Sequence, residues 1–278
     1  MTATLTPLGP HVGIEVSGLH AADLLDPAEA ARCRQLVEER GVVVYREVDP
    51  DDDQLVAFSA MLGEVERPRS GALESHPEVS PVTRKPGLDP MAAYRAGTFF
   101  WHLDGANGTV PNKTTLLAAK ELSPADEGDT EFASTYAAYE HLPDEEKRSL
   151  DQVRVVHSFR ATQRLARPDA SEKERAAWER VPDAEHPLVW ERRDGRRSML
   201  VGATTDHVVG MDDDTGRALL DRLLEWSTRP EFVVRHHWHK GDLVVWDNTG
   251  MLHRALPYGE DSPRLMHRTT IAGEEAIA

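Results

Sequence analysis

Hydrophobic positions in this chain fall into short apolar runs more often than into long helical stripes. VVVYRE (42–47), TTLLAAKEL (114–122), FVVRHHWH (232–239), DLVVWDN (242–248) and RLMHRTTIAG (264–273) have strand length and strand composition. TLTPLG (4–9), HVGIEVSG (11–18), GTFFWHLDG (97–105), PLVWER (187–192) and RRSMLVG (196–202) read as further extended pieces, and GDTEFAST (128–135) as a strand running into the helix TYAAYEHL (135–142). DPAEAARCRQLVEERG (26–41) predicts a helix with Asp26 as N-cap, Pro27 in the first turn and Gly41 as its stop. DDDQLVAFSAMLGEV (51–65), PDEEKRSLDQ (143–152) and DTGRALLDRLLEWSTRP (214–230) predict three more. Five prolines between residues 67 and 98 predict loop, with one short strand near 78–83. The polar stretch 166–186 is expected to be a helical or irregular mobile insertion. Many short strands with a few helices predict a mainly β fold with α: a sandwich or jelly roll with helices packed outside. No composition break divides the chain, so residues 1–278 are expected to be a single domain.

Composition narrows the partners. A net charge of −16 argues against nucleic acid, whose phosphates need a basic face. A small anionic ligand stays open, because a basic pocket can exist inside an acidic protein. Cys33 is the only cysteine, so an intrachain disulfide and thiolate-rich zinc sites are excluded, and any metal must be held by His, Asp or Glu. There is no run of eighteen apolar residues and no secretory signal pattern, so no membrane partner is expected and the cytoplasm is the default.

WHLD (101–104) holds the first candidate chemistry. Read as a strand, it puts His102 and Asp104 on one face, since residues i and i+2 share a side. An imidazole and a carboxylate presented together are two legs of a 2-His-1-carboxylate site, which holds Fe(II) with positions left open. By itself an H-x-D motif is weak. A third leg is expected from a distant strand, and His253, in GDLVVWDNTGMLHRA (241–255), follows a buried run and a Gly-bearing turn. The denser cluster His236, His237 and His239 lacks a carboxylate at i+2. Arg264 and Arg268, four apart on the last strand, are expected to point the same way, and buried guanidiniums need anions. Protein carboxylates or anionic ligands would both serve.

Taken in order, WHLD (101–104), LLAAKEL…GDTEFASTYAAYEHL (116–142), GDLVVWDN…LHRA (241–255) and RLMHRTTIAG (264–273) give a chain that resembles the TauD/TfdA family of Fe(II)/2-oxoglutarate-dependent dioxygenases. The resemblance spans about residues 8–273. It implies a double-stranded β-helix (jelly roll) core with flanking helices, and a dioxygenase that uses Fe(II), 2-oxoglutarate and O2 and releases succinate and CO2. It implies that His102, Asp104 and His253 are the metal ligands and that Arg264 and Thr130 hold the distal carboxylate of 2-oxoglutarate. It further implies that Arg268 and Phe159 meet a small anionic substrate bearing a carboxylate, sulfonate or sulfate. Tyr94 and Thr98, just before the ligand motif, are added as substrate contacts. A homodimer or homotetramer is expected by the same resemblance. The chain departs from the family at Thr249, where Arg is common, at the compact GANG (105–108), and in SGALESHPEV (70–79), which lacks the residues that hold taurine's sulfonate; taurine itself is therefore disfavoured. Two other readings are a non-catalytic ligand-binding jelly roll and a Zn-dependent hydrolase using the same three ligands.

Overall fold

Alternation along the central strands sets the architecture. In Val42-Val43-Val44-Tyr45, Val42 and Val44 join one apolar cluster while Val43 and Tyr45 join another, because successive strand side chains point to opposite faces. Leu116 and Ala118 part in the same way from Leu117 and Ala119, and Leu243 and Val245 from Val244 and Trp246. These strands are covered on both faces, so they read as continuous apolar runs rather than alternating ones.

The computed structural model describes residues 3–68, 71–124 and 127–278. The chain begins with β1 (Thr4–Pro7), β2 (Ile14–Ser17), α1 (Pro27–Arg40), β3 (Val42–Tyr45), α2 (Asp52–Leu62) and β4 (Ser80–Val82). After a 3-10 helix over Ala92–Phe99 come β5 (Thr114–Glu121), β6 (Thr130–Ser134), α3 (Thr135–Glu140) and α4 (Asp144–Leu150). Then follow β7 (Arg154–His157), α5 (Phe159–Ala166), α6 (Glu172–Trp178), β8 (Ala184–Pro187), β9 (Val189–Glu191), β10 (Arg197–Met199) and β11 (Thr205–Val208). The chain ends with α7 (Asp213–Ser227), β12 (Val233–His236), β13 (Leu243–Asp247), β14 (Met251–Ala255) and β15 (Leu265–Ile271).

A seven-stranded sheet runs β1-β2-β3-β13-β5-β15-β4, antiparallel apart from the β2–β3 pair. The three-stranded sheet β12-β6-β14 packs against it. Phe132, Val234 and Met251 from the small sheet meet Val44, Leu117, Val244 and Met266 from the large one. These two sheets are the jelly-roll core. Helices α1 and α2 cover the outer face of the large sheet with Cys33, Leu36, Leu55 and Phe58. Helices α3 and α7, with β7–β10, cover the outer face of the small one. The helix ends follow the sequence signals. Asp26 caps α1 by accepting from Ala28 N at 2.9 Å, Pro27 opens it, and Gly41 closes it at φ +71°. The expected strand near 78–83 is β4, and the segment 166–186 forms α6, capped by Ser171, and leads into β8.

Two expectations are corrected. GTFFWHLDG is not a strand: Ala92–Phe99 is 3-10 helix, His102 makes only an isolated antiparallel bridge to His253, and Asp104 lies in the turn that follows. A full ladder cannot form, because the segment is pinned from both sides over a very short length. His102 and His253 exchange both backbone bonds, at 3.1 and 2.9 Å, while Ala203 N donates to Trp101 O at 2.7 Å. Gly105, at φ +77°, then turns the chain. Arg264 lies one residue before β15 rather than on it, and a register shift between Leu265 and Met266 separates it from Arg268.

Candidate metal centre and active site

His253 sits in the middle of β14, paired with Phe132 of β6, and the turn that delivers it is tightly packed. A Cβ on Gly250 would lie 2.1 Å from the Tyr136 ring, so only glycine lets the β13–β14 turn lie flat on that ring. Tyr136 OH and Thr249 Oγ1 are 2.6 Å apart, and Thr249 N donates to Asp247 at 2.8 Å. Thr249 thus belongs to the support of this turn, and Arg192, whose Nη1 donates to Tyr136 OH at 3.1 Å, brings a guanidinium to the same place from the β9–β10 side.

The bridge between His102 and His253 places their ring centroids 4.2 Å apart. His102 Nε2 is 3.8 Å from Asp104 Oδ1, and His253 Nε2 is 3.9 Å from Asp104 Oδ2. The three ligand atoms lie within 4.8 Å of one another, the only such group among the described residues. His102 Nδ1 is 2.8 Å from the Phe100 carbonyl, which places the proton on Nδ1 and turns the Nε2 lone pair toward the group. Burial, with the adjacent His102, pushes His253 down to about 3, so its imidazole is neutral at physiological pH. Burial opposes ionisation of Asp104, but His253, Arg268, His102 and Arg95 outweigh it and hold the carboxyl at about 2. Two imidazoles and one carboxylate are the donor set that Fe(II) takes in a facial triad. The i, i+2 spacing therefore works through a bridge and a turn, not through strand alternation.

All nine residues singled out from the sequence border one cavity of about 300 Å³. Thr130 enters from the first position of β6, Phe159 from the first position of α5, and Tyr94 and Thr98 from the 3-10 helix. Tyr94 and Phe159 meet edge to face at 5.6 Å. Arg264 is 4% exposed and stacks over Tyr258 at 4.9 Å. No described carboxylate lies within ion-pair distance of it, and burial lowers its pKa against the pull of Tyr258. Arg268 Nη1 lies 3.8 Å from Asp104 Oδ2, and its Nε is buried without a partner. Thr130 Oγ1 accepts from Trp238 Nε1 at 3.0 Å, which leaves the hydroxyl proton free to be donated elsewhere.

Of the stretch before WHLD that lacks taurine's partners, Ser70 lies outside the described residues and none of residues 71–79 borders the cavity; His76 instead pairs with Asp53 at 3.1 Å. The His236–His239 cluster is structural: His236 faces Asp242 at 3.1 Å, His237 pairs with Asp129 at 2.7 Å, and His239 with Glu47 at 2.7 Å. Sequence reading missed Arg95, Gln163 and Trp238. Gln163 is 2% exposed, borders the cavity, and its Oε1 has no partner. None of the three lies in a motif, and only the packing of α5 on the 3-10 helix, with Gly97 against Thr162 and Gln163, brings two of them in.

Behind the cavity, His157 Nδ1 lies 2.9 Å from Oγ1 of the cavity-lining Thr204, and its ring is 5.6 Å from that of His186. Burial, then the charge of His186, pushes His157 down to about 3 from 6.5. The unfolded chain therefore takes up this proton more readily, and the stabilisation is full above pH 6.5 and lost as pH falls toward 3. From pH 7 to pH 5 this one group is expected to lower the unfolding free energy by about 2 kcal/mol. Urea unfolding at both pH values should show a shallower pH slope in His157→Asn than in wild type; equal slopes would refute the assignment.

The fold and the triad define a jelly-roll metalloenzyme, and the comparisons say which. Residues 4–270 match the profile of the family described as "Taurine catabolism dioxygenase TauD, TfdA family". The chain is 31% identical to the alpha-ketoglutarate-dependent 2,4-dichlorophenoxyacetate dioxygenase of Cupriavidus pinatubonensis, covering 100% of both chains. It is 29% identical to an alkylsulfatase of Acinetobacter baylyi, over 97% of this chain and 85% of that one. A crystal structure of AAD-2 in complex with Mn(II) and N-oxalylglycine matches with a TM-score of 0.83 at 30% identity, covering 100% of both chains. The chain belongs to the TauD/TfdA family and is an alpha-ketoglutarate-dependent dioxygenase, an oxidoreductase using Fe(II), 2-oxoglutarate and O2.

Proposed function

We propose that this dioxygenase oxidises a C–H bond of a small organic anion, with His102, Asp104 and His253 holding Fe(II), Arg264 and Thr130 holding the far carboxylate of 2-oxoglutarate, and Arg268 taking the anionic group of the substrate. The observation that carries this is Arg264: a buried guanidinium on the cavity wall with no described carboxylate in reach. A charge so placed is costly until an anion arrives, and a carboxylate meets it bidentately. The Thr130 hydroxyl, with its oxygen already accepting from Trp238, adds a second donor.

When bound, Fe(II) with 2-oxoglutarate and O2 supplies the oxidising power that turns C–H into C–OH as succinate and CO2 leave. The chain would hold the metal through two imidazoles and a carboxylate, orient the cosubstrate by one buried end, and aim the substrate. Tyr94, Phe159 and Leu117 offer an apolar wall that excludes water from the reacting carbon. Relatives named for a phenoxyacetate and for alkyl sulfates support an anionic substrate. A Zn hydrolase would use the same three ligands but gives no task to Arg264, Arg268 and Thr130 together. A binding-only protein would not need open metal positions.

The test is anaerobic addition of Fe(II) and 2-oxoglutarate, followed by O2 with a panel of sulfonates, alkyl sulfates, phenoxyalkanoates and N-substituted amino acids. A visible charge-transfer band is expected first, then succinate release stimulated by members of the panel. The matching uncharged amides and alcohols are run beside them, and stimulation by these alone would overturn the anionic-substrate reading.

A further inference from the structure

Arg95 is the feature of the cavity that neither the motifs nor the metal chemistry uses. It lies on the 3-10 helix and borders the same cavity as Arg264 and Arg268. Its Nε donates to Asp89 Oδ2 at 2.6 Å, and the two side chains are 11% and 3% exposed. Asp89 is itself a built support. It accepts from Met91 N at 2.8 Å and from Thr83 N at 3.4 Å, so it knits the approach to the 3-10 helix to the end of β4. One edge of the Arg95 guanidinium is thereby fixed. Its terminal Nη1 and Nη2 have no protein partner among the described residues, which leaves the end of the fork free for a ligand. A structural arginine would be expected to use those donors; this one is oriented by a single nitrogen.

We infer that Arg95 is a further specificity-determining residue, which joins Arg268 in gripping the anionic head of the substrate, and that the pair favours one negative charge over two. The inference rests on the proposed function above and adds a residue to its substrate site. Charge supports the monoanion. Around the cavity, three guanidiniums (Arg95, Arg264 and Arg268) face two carboxylates (Asp89 and Asp104). Asp129 is buried but committed to Arg235 and His237, and Glu66 is exposed. One positive charge is left over. Fe(II) adds two and the cosubstrate dianion removes two, so one remains, which a monoanion cancels and a dianion overshoots. Desolvated charge is costly unless matched, so the mismatch works against dianions. The apolar body follows from the rest of the wall, where Val82, Met91, Tyr94, Leu117, Phe159 and Tyr258 stand. Arg95 also bears on Asp104, Arg264 and Arg268 electrostatically, as a group central to the cavity must.

The experiment is calorimetric titration of the anaerobic Fe(II)·2-oxoglutarate complex with phenoxyacetate, hexyl sulfate and benzenesulfonate as monoanions, phenyl phosphate as a dianion and phenoxyacetamide as a neutral isostere. Wild type is expected to bind at least one monoanion about tenfold tighter than the amide, and benzenesulfonate tighter than phenyl phosphate. Arg95→Gln should weaken that monoanion by about tenfold while the amide stays within about twofold. Titration of the visible band should keep 2-oxoglutarate affinity within about threefold, because Arg264 is untouched. Arg95→Lys keeps the charge without the fork and should fall between; it also serves if Arg95→Gln folds poorly. Unchanged monoanion binding in Arg95→Gln, with Arg268→Gln weakened, would overturn the role of Arg95 alone. Equal losses for amide and anion would make Arg95 merely structural and overturn it too. A wild type indifferent to charge would overturn the anionic-substrate reading, and absence of the visible band would overturn the iron and cosubstrate assignment beneath both.

Discussion

Asp104→Ala is expected to cost the enzyme its iron and about a thousandfold or more in turnover, the scale of several kcal/mol that a metal supplies to such chemistry. Asp104 is the only carboxylate in the ligand group, and it stands between both imidazoles, 3.8 Å from one and 3.9 Å from the other. Without it, two imidazoles and no carboxylate remain to hold a divalent cation beside the positive charge of Arg268. The fold should survive, since Asp104 lies in a turn and carries no backbone ladder. Equilibrium Fe(II) binding and the visible band with 2-oxoglutarate are the measurements, with circular dichroism as the control. Iron affinity within about tenfold of wild type would remove Asp104 from the ligand set.

Arg264→Met should separate binding from stability. Removing one side of a buried charge pair costs about 2–5 kcal/mol of affinity, so KM for 2-oxoglutarate should rise about a hundredfold. The free enzyme should move the other way. Arg264 is buried with no described carboxylate partner, and replacing an uncompensated charge with an apolar chain of similar length relieves its desolvation. Thermal unfolding without ligand should therefore rise or hold, and the stabilisation that 2-oxoglutarate gives wild type should vanish from the variant. A variant that melts lower and keeps its affinity would mean that Arg264 is a structural ion-pair residue instead.

How the site was legible differs residue by residue. His253 was findable because a buried run, a Gly-bearing turn and a lone histidine mark the mouth of a barrel, and it lies there on β14. His102 and Asp104 were found by a spacing whose stated reason was wrong. The segment is a bridge and a turn, and a short motif cannot reveal that its neighbours, His253 and Ala203, will pin it from two sides. Arg264 and Arg268 reach the same cavity, but a register shift, not plain alternation, brings them there. Arg95 could not be found from the sequence at all. Its partner Asp89 is six residues away in a proline-rich loop, and nothing local says that the loop folds back onto the 3-10 helix.

The sequence by itself determined most of the strands, the helix ends and the residue types of the candidate metal group, because these rest on local physics: side-chain alternation, caps that satisfy backbone donors, and residue types that can bind metal. Only the tertiary structure decided which charges share the cavity. That depends on elements distant in sequence, with the 3-10 helix packed on α5 and the start of β15 paired with the end of β5, and on which guanidiniums find a protein partner. Asp129 is taken by Arg235 and His237, Asp89 holds a single nitrogen of Arg95, and Arg264 is buried with no described carboxylate in ion-pair reach. A charge is committed or free according to neighbours that only the folded chain supplies.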